Sequence, residues 1–228
     1  MRPLPERLTL AIDASTYRGT VAVLRGERVV AEAEAAMRGE REERLMPAVA
    51  DTLARAGVSP RDLDQVVCGE GPGSFTSLRI AGAIAKGIAT AAGLPLYAVS
   101  SLFLIAGAAR TELAEGAYLC VLDAMRGECY ATDVYVAAGG VVIHETSARL
   151  VKPADFDYER SFEKRIIGAG VAGVDVEAWP HARGVAADLL RLSGEPPVAL
   201  DGWEPSYGRL AEAQVKWEAA HGRPLPAG

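Results

Sequence analysis

The chain has little of what several large function classes require. Its 228 residues include only three cysteines and three histidines. Cys68, Cys120 and Cys129 show no C-x-x-C spacing and no signal peptide precedes them, so buried, reduced thiols in a cytoplasmic protein are expected rather than a disulfide framework. His144, His181 and His221 stand far apart, with no H-x-x-x-H or H-E-x-x-H pair from which to build a metal site. Lys and Arg form no run, and 24 basic residues against 30 acidic ones leave a net charge of −6. An autonomous nucleic-acid binder carries roughly 6–10 phosphate-facing cations. Any RNA role is therefore expected through a partner. No nucleophile-elbow motif is present, and no segment matches the ~20 strongly apolar residues of a membrane span.

What the chain does have is concentrated in one run, Gly69-Glu-Gly-Pro-Gly-Ser-Phe-Thr-Ser-Leu-Arg-Ile-Ala-Gly-Ala-Ile-Ala-Lys-Gly87. Gly71 and Gly73 allow backbone angles closed to other residues and Pro72 fixes its own φ, so the chain leaving Val66-Val67-Cys68 must turn sharply. A helix from Phe75 to Ala92 follows, with Ser74 as a fit N-cap. Its start can cradle an anion or serve as a plain strand-to-helix turn. Only Arg79 and Lys86 carry charge along it, and small or apolar residues surround its whole circumference. It needs cover on two sides: its own sheet, and a second subunit.

The periodicity predicts a meander of strands at Leu8–Ala14, Thr20–Leu24 and Arg28–Ala35, then a helix with Leu45, Val49 and Leu53 on one row and Pro47 in its first turn, closing at Gly57. Strands Gln65–Gly69 and Leu94–Val99 alternate with the glycine-rich helix and a helix from Ser101 to Glu115, which predicts parallel strands joined by right-handed crossovers. A second, shorter meander is expected at 118–122, 128–136 and 141–150, followed by a strand at 165–167, a helix over 181–192 and a last helix over 209–220. The fold class expected is α/β, two-lobed and actin-like or sugar-kinase-like (ASKHA), with a degenerate nucleotide cleft. Residues 1–102 would form the first lobe, 103–204 a smaller second lobe, and 205–228 a C-terminal helix packed back on the lobes.

In such a fold Asp13 and Asp123, each ending the first strand of a lobe, would face each other across the cleft. Asp13-Ala-Ser-Thr16 and Asp123-Ala-Met-Arg-Gly127 lack the close glycines of a phosphate hairpin, so Asp13, Asp123, Gly71 and Gly73 mark at most a weak nucleotide site. No catalytic residue is expected. Gly168-Ala-Gly-Val-Ala-Gly173 spells G-x-G-x-x-G, but no helix is predicted after it, and it reads as a turn.

Taken in order, Ile12-Asp-Ala-Ser-Thr16, Glu43-Arg-Leu-Met-Pro47, Gly71-Pro-Gly-Ser-Phe-Thr-Ser-Leu-Arg79, Ala85-Lys-Gly87, Val99-Ser-Ser-Leu102, Asp123-Ala-Met-Arg-Gly-Glu-Cys-Tyr130 and Pro205-Ser-Tyr-Gly-Arg209 resemble the TsaB family, also called YeaZ. The resemblance implies a non-catalytic partner in bacterial synthesis of N6-threonylcarbamoyladenosine at position 37 of tRNAs that read codons starting with A. It implies binding and activation of the catalytic paralogue TsaD, whose metal-holding His-x-x-x-His pair this chain lacks, together with a TsaE-like ATPase. Contact with tRNA would occur only through the complex, and a homodimer is expected when the chain is alone. No cofactor is required, although the resemblance leaves room for weak ATP or ADP binding at a partner junction. The contact surface it implies comprises Glu43, Arg44, Leu45, Met46 and Val49 on one helix and Phe75, Leu78, Arg79, Gly82 and Lys86 on the other. Three positions depart from the family pattern: Arg41-Glu42 where His-Ser is frequent, Ser77 in place of Gly, and Gly208 where Leu is common. An ATP-dependent small-molecule kinase of the same superfamily and a peptidase are the competing readings.

Overall fold

A computed structural model of the chain describes residues 2–39, 43–124, 127–138, 142–144, 147–208 and 221–222. Strands β1 (Leu8–Asp13), β2 (Arg18–Arg25) and β3 (Arg28–Ala36) form the predicted meander, and β4 (Gln65–Gly69) and β5 (Leu96–Val99) extend it in parallel beyond β1. The resulting order is β3-β2-β1-β4-β5. Every residue of β1 is buried. Leu8, Leu10 and Ile12 face one core and Ala11 the other, as befits a central strand covered on both faces.

The second sheet repeats this plan. Strands β6 (Gly116–Asp123), β7 (Cys129–Val136) and β8 (Val142–His144) form an antiparallel meander. Strands β10 (Arg165–Ala169) and β11 (Val176–Glu177) add in parallel beyond β6, giving β11-β10-β6-β7-β8, while β9 (Arg149–Val151) pairs with β7. The single segment expected at 141–150 is thus two short strands that both use β7 as partner.

Helix α1 (Leu45–Ala56) buries the row Leu45, Val49 and Leu53 on the first sheet and stops at Gly57, whose left-handed conformation closes the helix end. Helix α2 (Phe75–Ala92) lies beside it and packs on β4. Helix α3 (Ser101–Ala109) is shorter than the predicted segment and is almost wholly buried between the two sheets. The span predicted as one helix over 181–192 is a 3₁₀ segment, His181–Ala187, followed by the single α turn α5 (Leu189–Leu192); a one-turn helix α4 (Phe156–Arg160) precedes β10. The 3₁₀ winding accompanies a tight backbone approach, since a Cβ on Gly184 would stand 1.8 Å from the Leu104 carbonyl oxygen of α3. The Gly168–Gly173 run ends β10 at Ala169 and then turns toward β11, and no helix follows it directly. All three cysteines are buried and free. The helix predicted over 209–220 and the Arg41-Glu42 departure lie outside the described residues.

Candidate functional site

At the end of β1, where at most a weak nucleotide site was expected, the carboxylate is sealed in protein. Asp13 has no exposed surface. It accepts hydrogen bonds from the Ser15 N–H at 2.9 Å and the Ser15 hydroxyl at 2.7 Å. The Ser101 hydroxyl at the start of α3 and His181 Nε2 at the start of the 3₁₀ segment complete its shell. Burial by itself would raise the Asp13 pKa, but the charge of His181 and the hydrogen bonds from His181, Ser101 and Ser15 outweigh it and hold the carboxyl below its ordinary value. An ionised Asp13 requires the His181 proton on Nε2. His181 Nδ1 is buried and has no hydrogen-bond partner among the described residues. Ser101 Oγ in turn accepts the Gly71 N–H at 3.1 Å, so the glycine turn, β1, α3 and the 3₁₀ segment meet at one buried point.

The expectation that Asp13 faces Asp123 across a cleft is therefore corrected. Asp123 lines a cavity of about 150 Å³ with Thr16, Arg18, Gly170, Glu177 and Trp179, and Asp13 is not among its walls. Arg18 lies 5.2 Å from the centre of the Trp179 ring. Pockets for drug-sized ligands run to about 300–1,000 Å³, so this cavity is small for a nucleotide.

Gly71 and Gly73 also serve contacts inside the chain. Both have positive φ, and a Cβ would stand 2.0 Å from the Ser206 carbonyl oxygen at Gly71 and 2.3 Å from the Ser15 carbonyl oxygen at Gly73. The Ser74 N–H donates to Ser15 O at 2.7 Å and the Ser206 N–H to Glu70 O at 2.6 Å. The turn, for which both an anion cradle and a plain strand-to-helix role were open, is thus packed between the β1–β2 loop and a strap formed by residues 203–208.

That strap supplies part of the second cover that α2 needs. Pro205 and Trp203 lie against Gly82, Tyr207 packs on Phe75 with ring centres 4.4 Å apart, and Lys86 sits 5.9 Å from the centre of the Trp203 ring. The Tyr130 hydroxyl of β7 donates to Tyr207 O at 3.1 Å, which ties the strap to the second sheet. Gly208 has φ +71°, and a Cβ there would stand 2.6 Å from Pro72. The position common for Leu in the family is thus one where this chain has no room for it. Ser77, the other departure within the described residues, is buried, with its hydroxyl 3.0 Å from that of Ser74.

The ten residues expected on a partner surface divide accordingly. Leu45, Val49 and Leu78 are core residues with no exposed surface, and Gly82 is buried under the strap. On α2 sequence periodicity alone could not make this division, because that helix is apolar on all sides. Glu43, Arg44, Met46 and Arg79 are exposed, whereas Phe75 and Lys86 are half-buried. The Glu43 carboxylate accepts the Leu45 and Met46 N–H groups and so caps α1. Between α1 and α2 runs an open groove of about 690 Å³, walled by Met46, Ile84, Ile88, Ala91 and Ala92 with Arg61 at its edge. Residues the sequence reading missed include His181, for which a lone histidine carries no signal. Pro205 and Tyr207 lie in Pro205-Ser-Tyr-Gly-Arg209, one of the motifs that carry the family resemblance, whereas Trp203 left no sequence signal.

The duplicated sheets and their strand orders define a two-lobed ASKHA-type fold, with the aspartate at the end of its first strand sealed in protein. Comparison with known proteins gives the family. Residues 34–169 match the family model for TsaD, tRNA N6-adenosine threonylcarbamoyltransferase. The tRNA threonylcarbamoyladenosine biosynthesis protein TsaB of Bacillus subtilis is 32% identical, with 91% of this chain and 96% of that protein covered. TsaB of Escherichia coli is 34% identical over 84% of this chain and 82% of its own length. A crystal structure from Pseudomonas aeruginosa, described as similar to peptidase YEAZ, superposes with TM-score 0.72 at 25% identity over 89% of this chain and all of that one. The chain belongs to the TsaB (YeaZ) family.

Proposed function

We propose that this chain is the non-catalytic subunit that binds and activates a TsaD-like catalytic paralogue in forming N6-threonylcarbamoyladenosine at position 37 of tRNAs reading codons that start with A. The observation that carries the reading is the contrast between the two faces of the first sheet. On one, the carboxylate that active relatives would direct at a metal-bound nucleotide is buried beneath His181. On the other, an open apolar groove lies between α1 and α2. Apolar surface left open at this scale favours association with a partner, and a stable contact would bury about 1,200–2,000 Å² in total. The net charge of −6 supports tRNA contact made through the complex. A TsaE-like ATPase completes the assembly, and two copies of this chain pair through the same groove when the paralogue is absent.

The test is reconstitution. Purified tRNA, threonylcarbamoyl-adenylate, ATP, the TsaD-like enzyme and the ATPase are assayed for modified adenosine-37 with and without this chain. Product that depends on the chain supports the proposal, and product formed equally without it refutes it. Gly87→Glu addresses the surface directly. Gly87 is exposed on α2 with open space around it, and replacing a mid-helix glycine gains up to about 1 kcal/mol of helix propensity. Association with the paralogue is expected to weaken by at least about tenfold while the thermal midpoint holds or rises. Unchanged association, measured by calorimetry, would remove the groove from the interface.

A further inference from the structure

A second concavity lies away from the groove and the sealed aspartate. At the carboxyl ends of the parallel strands β4 and β5, a pocket of about 690 Å³ opens between the start of α3 and the turn α5. Its apolar walls include Val99, Phe103, Val142 and Leu190, and its polar groups are Glu70, Ser100, Asp188 and Arg191. The volume falls in the roughly 300–1,000 Å³ range of small-molecule sites, and the carboxyl edge of parallel strands is where open α/β sheets receive ligands.

The charges in the pocket do not cancel. Arg191 donates from Nε to Asp188 Oδ1 at 2.7 Å and from Nη2 to Asp188 Oδ2 at 2.5 Å, and its Nη1 stands 3.6 Å from Glu195. Glu70 contributes its backbone N–H and carbonyl to Val99 and Ser206, whereas its carboxylate forms no hydrogen bond or ion pair with the described residues. Two carboxylates therefore stand against one guanidinium that is already engaged. Partial burial pushes the Glu70 pKa upward, with the Arg191 charge opposing the shift. A half-buried acid on an apolar wall is stabilised by a ligand that brings a positive group to it and lays an apolar body along the wall. Leu190, 75% exposed at the rim, would cover such a body from the solvent side.

We propose that this pocket binds a small organic cation, a primary ammonium on an aliphatic chain, with the ammonium on Glu70 and the chain against Phe103, Val142 and Leu190. An anion of the same shape would lie beside the unpaired Glu70 carboxylate and is disfavoured. The proposal is independent of the subunit reading, because it concerns another face of the molecule and a free small ligand.

The full-length protein, labelled with nitrogen-15, is titrated with n-pentylammonium, with n-pentanol as the neutral match and pentanoate as the anion. Saturable shifts of the Glu70, Ser100, Phe103 and Leu190 amides by pentylammonium are expected, with pentanol and pentanoate at least about tenfold weaker. Glu70→Gln keeps the shape and removes the charge, and it should weaken pentylammonium by about the same factor. Leu190→Ser, at an exposed position that does not bear on folding, should weaken it about threefold. Equal binding of pentanol and pentylammonium, retention of affinity in Glu70→Gln, shifts confined to other residues, or no saturation would each overturn the proposal. Tighter binding of Nα-acetyl-lysine amide than of pentylammonium would assign the pocket to a lysine of a protein partner and overturn the small-molecule assignment.

Discussion

Asp13 shows how one residue can keep its place in a fold while its environment changes what it can do. Its position at the end of β1 was legible from alternation alone, but its partners were not. His181 lies 168 residues away, and no local pattern marks a histidine destined to seal an aspartate. Removing one member of a buried ion pair leaves the other uncompensated, at a cost of about 3–5 kcal/mol. His181→Ala is therefore expected to lower unfolding free energy by that order in chemical denaturation at neutral pH. The pH dependence has a definite sign. Because the Asp13 pKa is lowered on folding, its contribution is present above the unfolded carboxyl value, about 3.9, and is lost as pH falls through the folded value. In the wild type this loss lies below about pH 4, and in His181→Ala the onset should move to higher pH. Denaturation curves between about pH 3 and 7 measure both, and an unchanged onset would show that His181 does not hold the carboxylate ionised.

Among the elements, α1 was the most legible and α2 the least. In α1 the row Leu45, Val49 and Leu53 repeats at helical spacing, and that row is the buried one. In α2 the pattern is nearly uniform, so packing alone decides that Leu78, Ala81 and Ala85 face the core and that the strap takes Gly82. The strap has no periodicity of its own and is held by the ring contact of Tyr207 with Phe75, the packing of Trp203 and the Ser206–Glu70 hydrogen bond. Losing half-buried aromatic packing costs about 1–3 kcal/mol. The double variant Trp203→Ala, Tyr207→Ala should accordingly speed hydrogen exchange at the Ser206 amide by at least about tenfold while β1 and β4 amides remain protected. If Ser206 exchanges only with global unfolding, the strap is part of the core and not a separate layer. The 3₁₀ segment at 181–187 illustrates the opposite limit. Its residues suit an α-helix, but the close contact of Gly184 with the α3 backbone is a tertiary fact that no window of sequence contains.

The whole molecule is two copies of one plan, β3-β2-β1-β4-β5 and β11-β10-β6-β7-β8, with α3 and the 3₁₀ segment packed between them. Beside Asp123 this leaves a cavity of about 150 Å³. ATP at about 1 mM is expected to raise the thermal midpoint of the isolated chain negligibly, since stabilisation follows the ratio of ligand to dissociation constant. A shift of several degrees would mean that the cleft opens in solution. The amino-acid sequence by itself determined the first-lobe element order, the duplicated meander and the sharp glycine turn, because these rest on local backbone preference and on the period of apolar residues, while the ordered motifs carried the family resemblance. Only the tertiary structure decided that Asp13 is sealed by His181, that Leu78 belongs to the core, and that a C-terminal strap covers Gly82. Each of these is a contact between segments distant in the chain, and burial there depends on which surfaces meet, a property that local composition does not encode.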